Sequence, residues 1–244
     1  MTISSPHNER LKEIRKLARR RSREQSGRFV AEGEDLLAAA DAAGWPALER
    51  YCATGSGLDG VEVEPELLAS VSQLGSGTRA LAVYEQRWSG APAGPLCVAL
   101  HGIADPGNVG TILRSALAFG ASSVALGPDC ADPYGSKAVR ASMGALFAVP
   151  LARFDAVDQL PGTTVALDAH AEEPIASLGA TNAPLTLLVG AERAGLPADV
   201  LATCERVVRI PIASESLNAA MAATVALYEV SRGAVAMDHR MPPA

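Results

Sequence analysis

Three stretches of this 244-residue chain set polar side chains among glycine, proline and asparagine. They are Asp105-Pro-Gly-Asn-Val-Gly-Thr-Ile-Leu-Arg114, Leu188-Val-Gly-Ala-Glu-Arg-Ala-Gly-Leu-Pro197 and Ile210-Pro-Ile-Ala-Ser-Glu-Ser-Leu-Asn218. Each couples a strand-like apolar run to a loop that opens a helix. Such loops aim backbone N–H groups and a few fixed side chains at one edge of a sheet, where α/β proteins bind ligands. In the first stretch, Arg114 carries a planar guanidinium suited to phosphate, one turn into a helix read over 109–119. On that helix Val109, Ile112, Leu113, Ala116 and Phe119 form one apolar face, and Arg114 falls opposite, where a solvated arginine is the ordinary outcome. Asn108 has a simple role as a helix cap. Glu192 follows a strongly apolar strand; it caps the next helix, pairs with Arg193 or orients a polar partner in a cleft. Ser216 and Asn218 are both good capping residues ahead of a long helix. Together the three loops suggest one site assembled from distant parts of the chain.

The elements that must position these residues alternate. Strands are read at 96–100, 123–126, 165–167, 185–189 and 207–211, with helices at 109–119, 137–146, 197–203 and 217–231. That alternation implies a parallel sheet covered on both faces. Ahead of it, Ser89-Gly-Ala-Pro-Ala-Gly-Pro95 cannot hold regular structure and reads as a linker. The chain divides accordingly into a smaller α/β domain over 1–88, the linker over 89–95, and a larger α/β domain over 96–244. In the smaller one, a helix is read over 8–21, a strand from Arg28, a helix over 34–43, one from Pro65 to Gln73, and a strand over 79–84.

Composition narrows the function. The net charge of −6 hides an asymmetry: residues 1–30 hold nine basic side chains against three acids, so that segment is +6 and the remainder −12. A basic arm on an acidic body points to a polyanion or to a solvated helix face, in equal measure. Cys52, Cys97, Cys130 and Cys204 are scattered with no C-x-x-C pair, and His7, His101, His170 and His239 are equally isolated. Reduced thiols and no metal are expected. The polar, basic N-terminus lacks an apolar signal segment, and no apolar run approaches a membrane span, so a cytoplasmic location is expected.

The three stretches in order resemble the motifs of the SpoU (TrmH-like) family of RNA ribose 2′-O-methyltransferases, in the SPOUT superfamily. Asn108, Gly110 and Arg114 match the first motif, Gly190, Glu192 and Gly195 the second, and Pro211, Ser216, Leu217, Asn218 and Leu227-Tyr228-Glu229 the third. The segment from Ala131 to Gly144 is similar to a further family stretch. Asn8, Arg28-Phe-Val and Glu32-Gly33 resemble a ribosomal-protein-like substrate-binding module often attached to this family. One departure lies before Ser216, where only Ala213-Ser214-Glu215 follows Ile212, shorter than the family loop and without its usual glycine.

The resemblance implies a sheet whose C-terminal part is tied in a deep trefoil knot, a rarity among folds. It implies S-adenosylmethionine as methyl donor, held near Leu167, Leu188, Gly190, Ile210 and Leu217, and a homodimer that completes the site. Arg114 would activate the ribose hydroxyl together with an RNA phosphate, and Asn108, Glu192, Ser216 and Asn218 would orient it, the ribose and the donor. Arg15, Lys16, Arg19, Arg28, Lys137 and Arg140 would contact RNA, with 23S ribosomal RNA favoured over transfer RNA. The rivals are a non-catalytic RNA-binding protein of the same fold and a nucleotide-dependent Rossmann enzyme, the latter disfavoured because no G-x-G-x-x-G follows a strand.

Overall fold

The computed structural model describes residues 2–73, 77–179, 183–214 and 216–238, with side chains to residue 232; Glu215 and His239 lie outside them. Elements run α1 (Glu9–Lys16), α2 (Arg20–Ser26), β1 (Arg28–Glu32), α3 (Glu34–Ala42), β2 (Glu49–Ala53), β3 (Val61–Val63), α4 (Pro65–Val71) and β4 (Ala80–Glu85). Then come β5 (Leu96–Leu100), α5 (Pro106–Ala118), β6 (Ser123–Leu126), α6 (Ser136–Ala141), α7 (Ala145–Ala148), β7 (Leu151–Arg153), β8 (Thr163–Leu167) and β9 (Glu173–Pro174). The chain continues through β10 (Leu185–Val189), α8 (Ala198–Thr203), β11 (Arg206–Arg209) and α9 (Ala219–Asp238). Among the described residues no helix is long and apolar enough to cross a membrane.

Two compact units result. The first holds residues 1–87 together with 132–148, the second 88–131 with 149–244. Segment 132–148 therefore packs with elements that precede it by more than forty positions, which no local pattern announces.

The first unit is built on a mixed sheet ordered β1-β4-β2-β3. Its core joins Leu11 and Ile14 of α1 to Tyr51, Val63, Leu68 and Leu81. A continuous helix over 8–21 does not form: α1 stops after Lys16, and α2 begins at Arg20. Arg23, one of the nine basic residues of the arm, supplies the reason. Its guanidinium turns inward, only 6% exposed, and donates to the carbonyls of Leu17 (2.8 Å) and Ala18 (3.0 Å), groups that a helix end leaves open. The same guanidinium pairs with Asp132 at 2.7 Å, so this charge ties segment 132–148 in place and is not presented outward. Around it Phe29 contacts Trp45, Tyr84, Tyr134 and Phe147 with ring centroids 4.8 to 6.1 Å apart. The helix read over 137–146 is two helices, because Met143 and Gly144 adopt positive φ of 49° and 89°. A Cβ at Gly144 would stand 2.5 Å from the Cβ of Ala39, so glycine permits that approach.

The second unit is a seven-stranded sheet, ordered β7-β6-β5-β10-β8-β11-β9 and parallel throughout. Strands β5, β6 and β10 are almost wholly buried, as strands covered on both faces must be. β7 and β9 are too short, at three and two residues, to leave a sequence signal. α5 starts three residues earlier than the periodicity suggests. Asp105 is its N-cap, accepting from the Asn108 amide at 3.1 Å, and Pro106 occupies the first turn. Arg114 thus lies eight residues past Pro106, about 12 Å along the axis, and not one turn in. Burial pushes the Cys97 and Cys130 thiols above their ordinary range, which keeps them protonated and unreactive at neutral pH.

Replacing Asp132 by Ala leaves the Arg23 guanidinium buried without its counter-charge and should lower the unfolding free energy by about 3 kcal/mol. Urea denaturation of the full chain measures this; an unchanged midpoint would mean that the two carbonyl acceptors suffice.

Candidate functional site

Strand order sets the site. β10 enters the sheet between β5 and β8, so the carboxyl ends of β8, β10 and β11 lie side by side with that of β5. This is where parallel sheets open a crevice for ligands. The loops leaving β8, β10 and β11 enclose a hollow of about 790 Å³, within the range of small-molecule sites. Leu167, Gly190, Ile210 and Leu217 all line it. Leu188 does not: its side chain is fully buried with Cys97, Ala99 and Ala166 in the core beneath.

One wall of the hollow is a tight turn. The Gly195 amide donates to the Ala191 carbonyl at 2.8 Å, with Gly195 at φ 66°. Gly190 is required by proximity, since a Cβ there would stand 2.5 Å from the Gly195 carbonyl carbon and 2.6 Å from the Leu196 nitrogen. The turn leaves Glu192 exposed at the rim, where it neither caps a helix nor pairs with Arg193 among the described residues.

Glu192 instead gathers the other two loops. The Asn108 side-chain amide donates to Glu192 Oε1 at 2.7 Å, and Asn218 donates to the same oxygen. Asn218 also donates to Asn108 Oδ1 at 3.1 Å, closing a three-membered ring of hydrogen bonds. Its own Oδ1 accepts from the amides of Ala220 (3.0 Å) and Met221 (3.3 Å), so Asn218 caps α9 as well. One oxygen accepting two amide donors gives charge-assisted bonds, stronger than neutral pairs. Residues 84 and 110 positions from Asn108 are so fastened to it.

Ser216 and Arg114 stand outside this ring. Ser216 lines the hollow, and its carbonyl accepts from Ser214 Oγ at 3.3 Å. Arg114 is exposed on α5, and its side chain makes no hydrogen bond or ion pair among the described residues. Its neighbour Ser115 is buried and shares a 2.6 Å hydrogen bond with Thr224, which holds α5 to α9. Asp168 and His170 also line the hollow, and Asp168 Oδ1 accepts from the His170 amide at 2.8 Å. An Asp directly after a strand was legible as a turn former, but nothing in the sequence pointed that turn at this hollow.

The residues proposed for nucleic acid fall in the first unit. Arg19, Arg28 and Arg140 are exposed, and their side chains carry no hydrogen bond among the described residues. Lys16 is held by Glu13 at 2.6 Å, and Arg15 donates to the Pro6 carbonyl and Ser70 Oγ. Lys12 and Arg20 are likewise paired with Glu9 and Glu24. The arm's outward charge is therefore smaller than its composition suggests.

With this geometry in place, comparison with known proteins is informative. Residues 95–228 match the SpoU rRNA methylase family, and residues 8–85 match an MRM3-like substrate-binding domain. An uncharacterized tRNA/rRNA methyltransferase of Synechocystis is 32% identical, over 95% of this chain and 93% of its own length. A 23S rRNA (uridine(2479)-2′-O)-methyltransferase of Streptomyces viridochromogenes is 38% identical over 52% of this chain and 49% of its own length. The crystal structure of an AdoMet-bound rRNA methyltransferase from Sinorhizobium meliloti superposes with a TM-score of 0.86 at 30% identity, covering 96% of this chain and 98% of that one.

Substituting Gly190 by Ala should displace the 191–195 turn and cost about 1–3 kcal/mol, the range for overpacking. Chemical denaturation reads the loss; a midpoint equal to that of the unaltered protein would show that the turn moves freely.

Proposed function

Because this chain belongs to the SpoU rRNA methylase family, we propose that it methylates a ribose 2′-hydroxyl of structured RNA, with 23S ribosomal RNA as the substrate. It is an RNA methyltransferase that uses S-adenosylmethionine. The observation that carries the reading is the ring formed by Asn108, Glu192 and Asn218 at the rim of the hollow. Transfer RNA is the second substrate to test, since the Synechocystis relative's name admits both.

The hollow fits the donor. Leu167, Ile210 and Leu217 offer an apolar wall for a nucleoside, and the turn after Gly190 brings main-chain polar groups to its edge. When bound, S-adenosylmethionine supplies a methyl group already activated on a sulfonium. What remains for the protein is to position the ribose and to ease loss of a poorly acidic proton. Arg114 carries an unspent positive charge and stabilises the oxyanion forming at the 2′-oxygen, with an RNA phosphate receiving the proton. A guanidinium does not ordinarily give up its own proton, so it acts here by charge. Asn108, Glu192 and Asn218 hold α5 and α9 in register, and Ser216 orients the ribose from the hollow's edge.

In this reading residues 1–88 recognise RNA, 89–95 link, and 96–244 carry out transfer, the last including the knot expected of the family. Arg15, Lys16, Arg19, Arg28, Lys137 and Arg140 supply salt-dependent phosphate contacts. The protein works in the cytoplasm as a homodimer. Met221, Val225 and Tyr228 form an exposed apolar stripe at helical spacing on α9, and a second copy would cover it.

Replacing Arg114 by Ala should lower methyl transfer to 23S rRNA by about 10²–10³-fold and leave S-adenosylmethionine affinity unchanged by calorimetry. Turnover equal to wild type would remove Arg114 from the reaction. The pair Met221→Asp and Val225→Asp should convert a dimer to a folded monomer by light scattering; an unaltered mass would place the interface elsewhere.

A further inference from the structure

The first unit contains a groove of about 170 Å³ that the transfer reaction does not use. β1 forms its floor with Val30 and Glu32, and α6 forms one wall with Ser136, Val139 and Arg140. Glu32 is only 9% exposed. Its Oε1 accepts from the Gln73 main-chain N–H at 2.9 Å, and its Oε2 accepts from Ser72 Oγ at 2.6 Å, while Thr78 Oγ1, 3.4 Å from Oε2, gives its proton to Ser72 Oγ at 2.6 Å. Among the described residues no cation pairs with it. A buried carboxylate balanced by neutral donors alone is costly to keep. It has room for about four hydrogen bonds, of which two are made by these donors, so acceptor capacity remains for a ligand donor.

The rim adds complementary groups. Ser136 Oγ donates to Gln73 Oε1 at 2.8 Å, which leaves the Gln73 side-chain nitrogen Nε2 without a partner among the described residues. Arg140 is exposed beside it, and its guanidinium carries no hydrogen bond among the described residues. An acceptor below, a neutral amide donor above, apolar side chains between them and a cation at the mouth match one nucleotide. The planar base lies against Val30 and Val139, its N–H edge meets Glu32, and its phosphate meets Arg140.

We propose that this groove binds a single unstacked nucleotide of the RNA substrate, and that Glu32 selects an amine-bearing base over uracil. The proposal rests on the RNA methyltransferase reading and deepens it by giving the first unit a base-reading site. Adenine, cytosine and guanine each offer an exocyclic amine to a carboxylate, as in recognition of cytosine by acidic side chains. Uracil presents carbonyl oxygens flanking one ring N–H, and a carboxylate repels those oxygens.

Titrating the full-length protein with each nucleoside monophosphate, followed by NMR chemical shifts, tests this. AMP, CMP or GMP should perturb residues around Glu32 and Arg140 and bind about tenfold more tightly than UMP. Glu32→Gln should abolish that preference, and Arg140→Ala should weaken all four equally. In methyl-transfer assays with a 23S rRNA transcript, Glu32→Gln should raise KM for RNA about tenfold and leave S-adenosylmethionine affinity unchanged. The proposal is overturned if no monophosphate perturbs the groove. It is equally overturned if Glu32→Gln lowers the melting temperature and leaves base preference and KM intact, because Glu32 then serves only to pin residues 72–78. Absence of methyl transfer by the unaltered protein to 23S or transfer RNA would refute the function itself, whatever the groove binds.

Discussion

The insertion of β10 between β5 and β8 is the constraint from which the rest of the second unit follows. Parallel neighbours must receive their chains from the same end, so their carboxyl edges line up. Here that brings the loops after residues 100, 167, 189 and 209 to a common rim. Had β10 joined at an edge of the sheet, Glu192 would lie strands away from Asn108. With β10 central, a single carboxylate oxygen reaches both Asn108 and Asn218. The close fit demanded of Gly190 has the same origin, because the turn must double back over a buried strand end to aim Glu192 at its partners.

Charge is managed in two opposite ways. In the second unit, polar groups sit in the open and are organised by one another, with Arg114 left unspent. In the first, Arg23 is taken inside and matched by Asp132 and two carbonyls. Burial makes that arrangement valuable mainly against its own breakage: removing either partner strands the other, whereas surface pairs such as Lys16 with Glu13 contribute little. A basic segment can thus belong partly to the core, and counting its charges overstates what it offers to a polyanion.

The covering of the sheet explains why small residues crowd α9. Ala219, Ala220, Ala223 and Ala226 are all buried, which lets the helix backbone approach closely, and Thr224 crosses to Ser115. The opposite side of the same helix carries Met221, Val225 and Tyr228 into solvent. One helix therefore presents a packed face and an exposed apolar one.

Local chemistry was legible from the residues. The runs forming β5, β6 and β10 are apolar throughout because both faces are covered, and their limits match those read from the sequence. Asp105 ahead of Pro106 was a readable cap too, but the apolar periodicity of 109–119 outweighed it, and the start of α5 was misplaced. Two long helices read from pattern are each broken in the structure. The causes lie outside the periodicity: Arg23, anchored by distant Asp132, reaching back to Leu17 and Ala18, and Gly144 approaching Ala39. The motifs by themselves determined, through ordered resemblance, what family the chain belongs to, and they named the side chains proposed to carry the chemistry. Tertiary structure alone decided that Asn108, Glu192 and Asn218 share hydrogen bonds, that Leu188 lies beneath the hollow, and that residues 132–148 fold with the first unit. Propensity and periodicity act over a few residues, whereas strand order and buried pairing are settled by contacts between parts of the chain that the sequence keeps far apart.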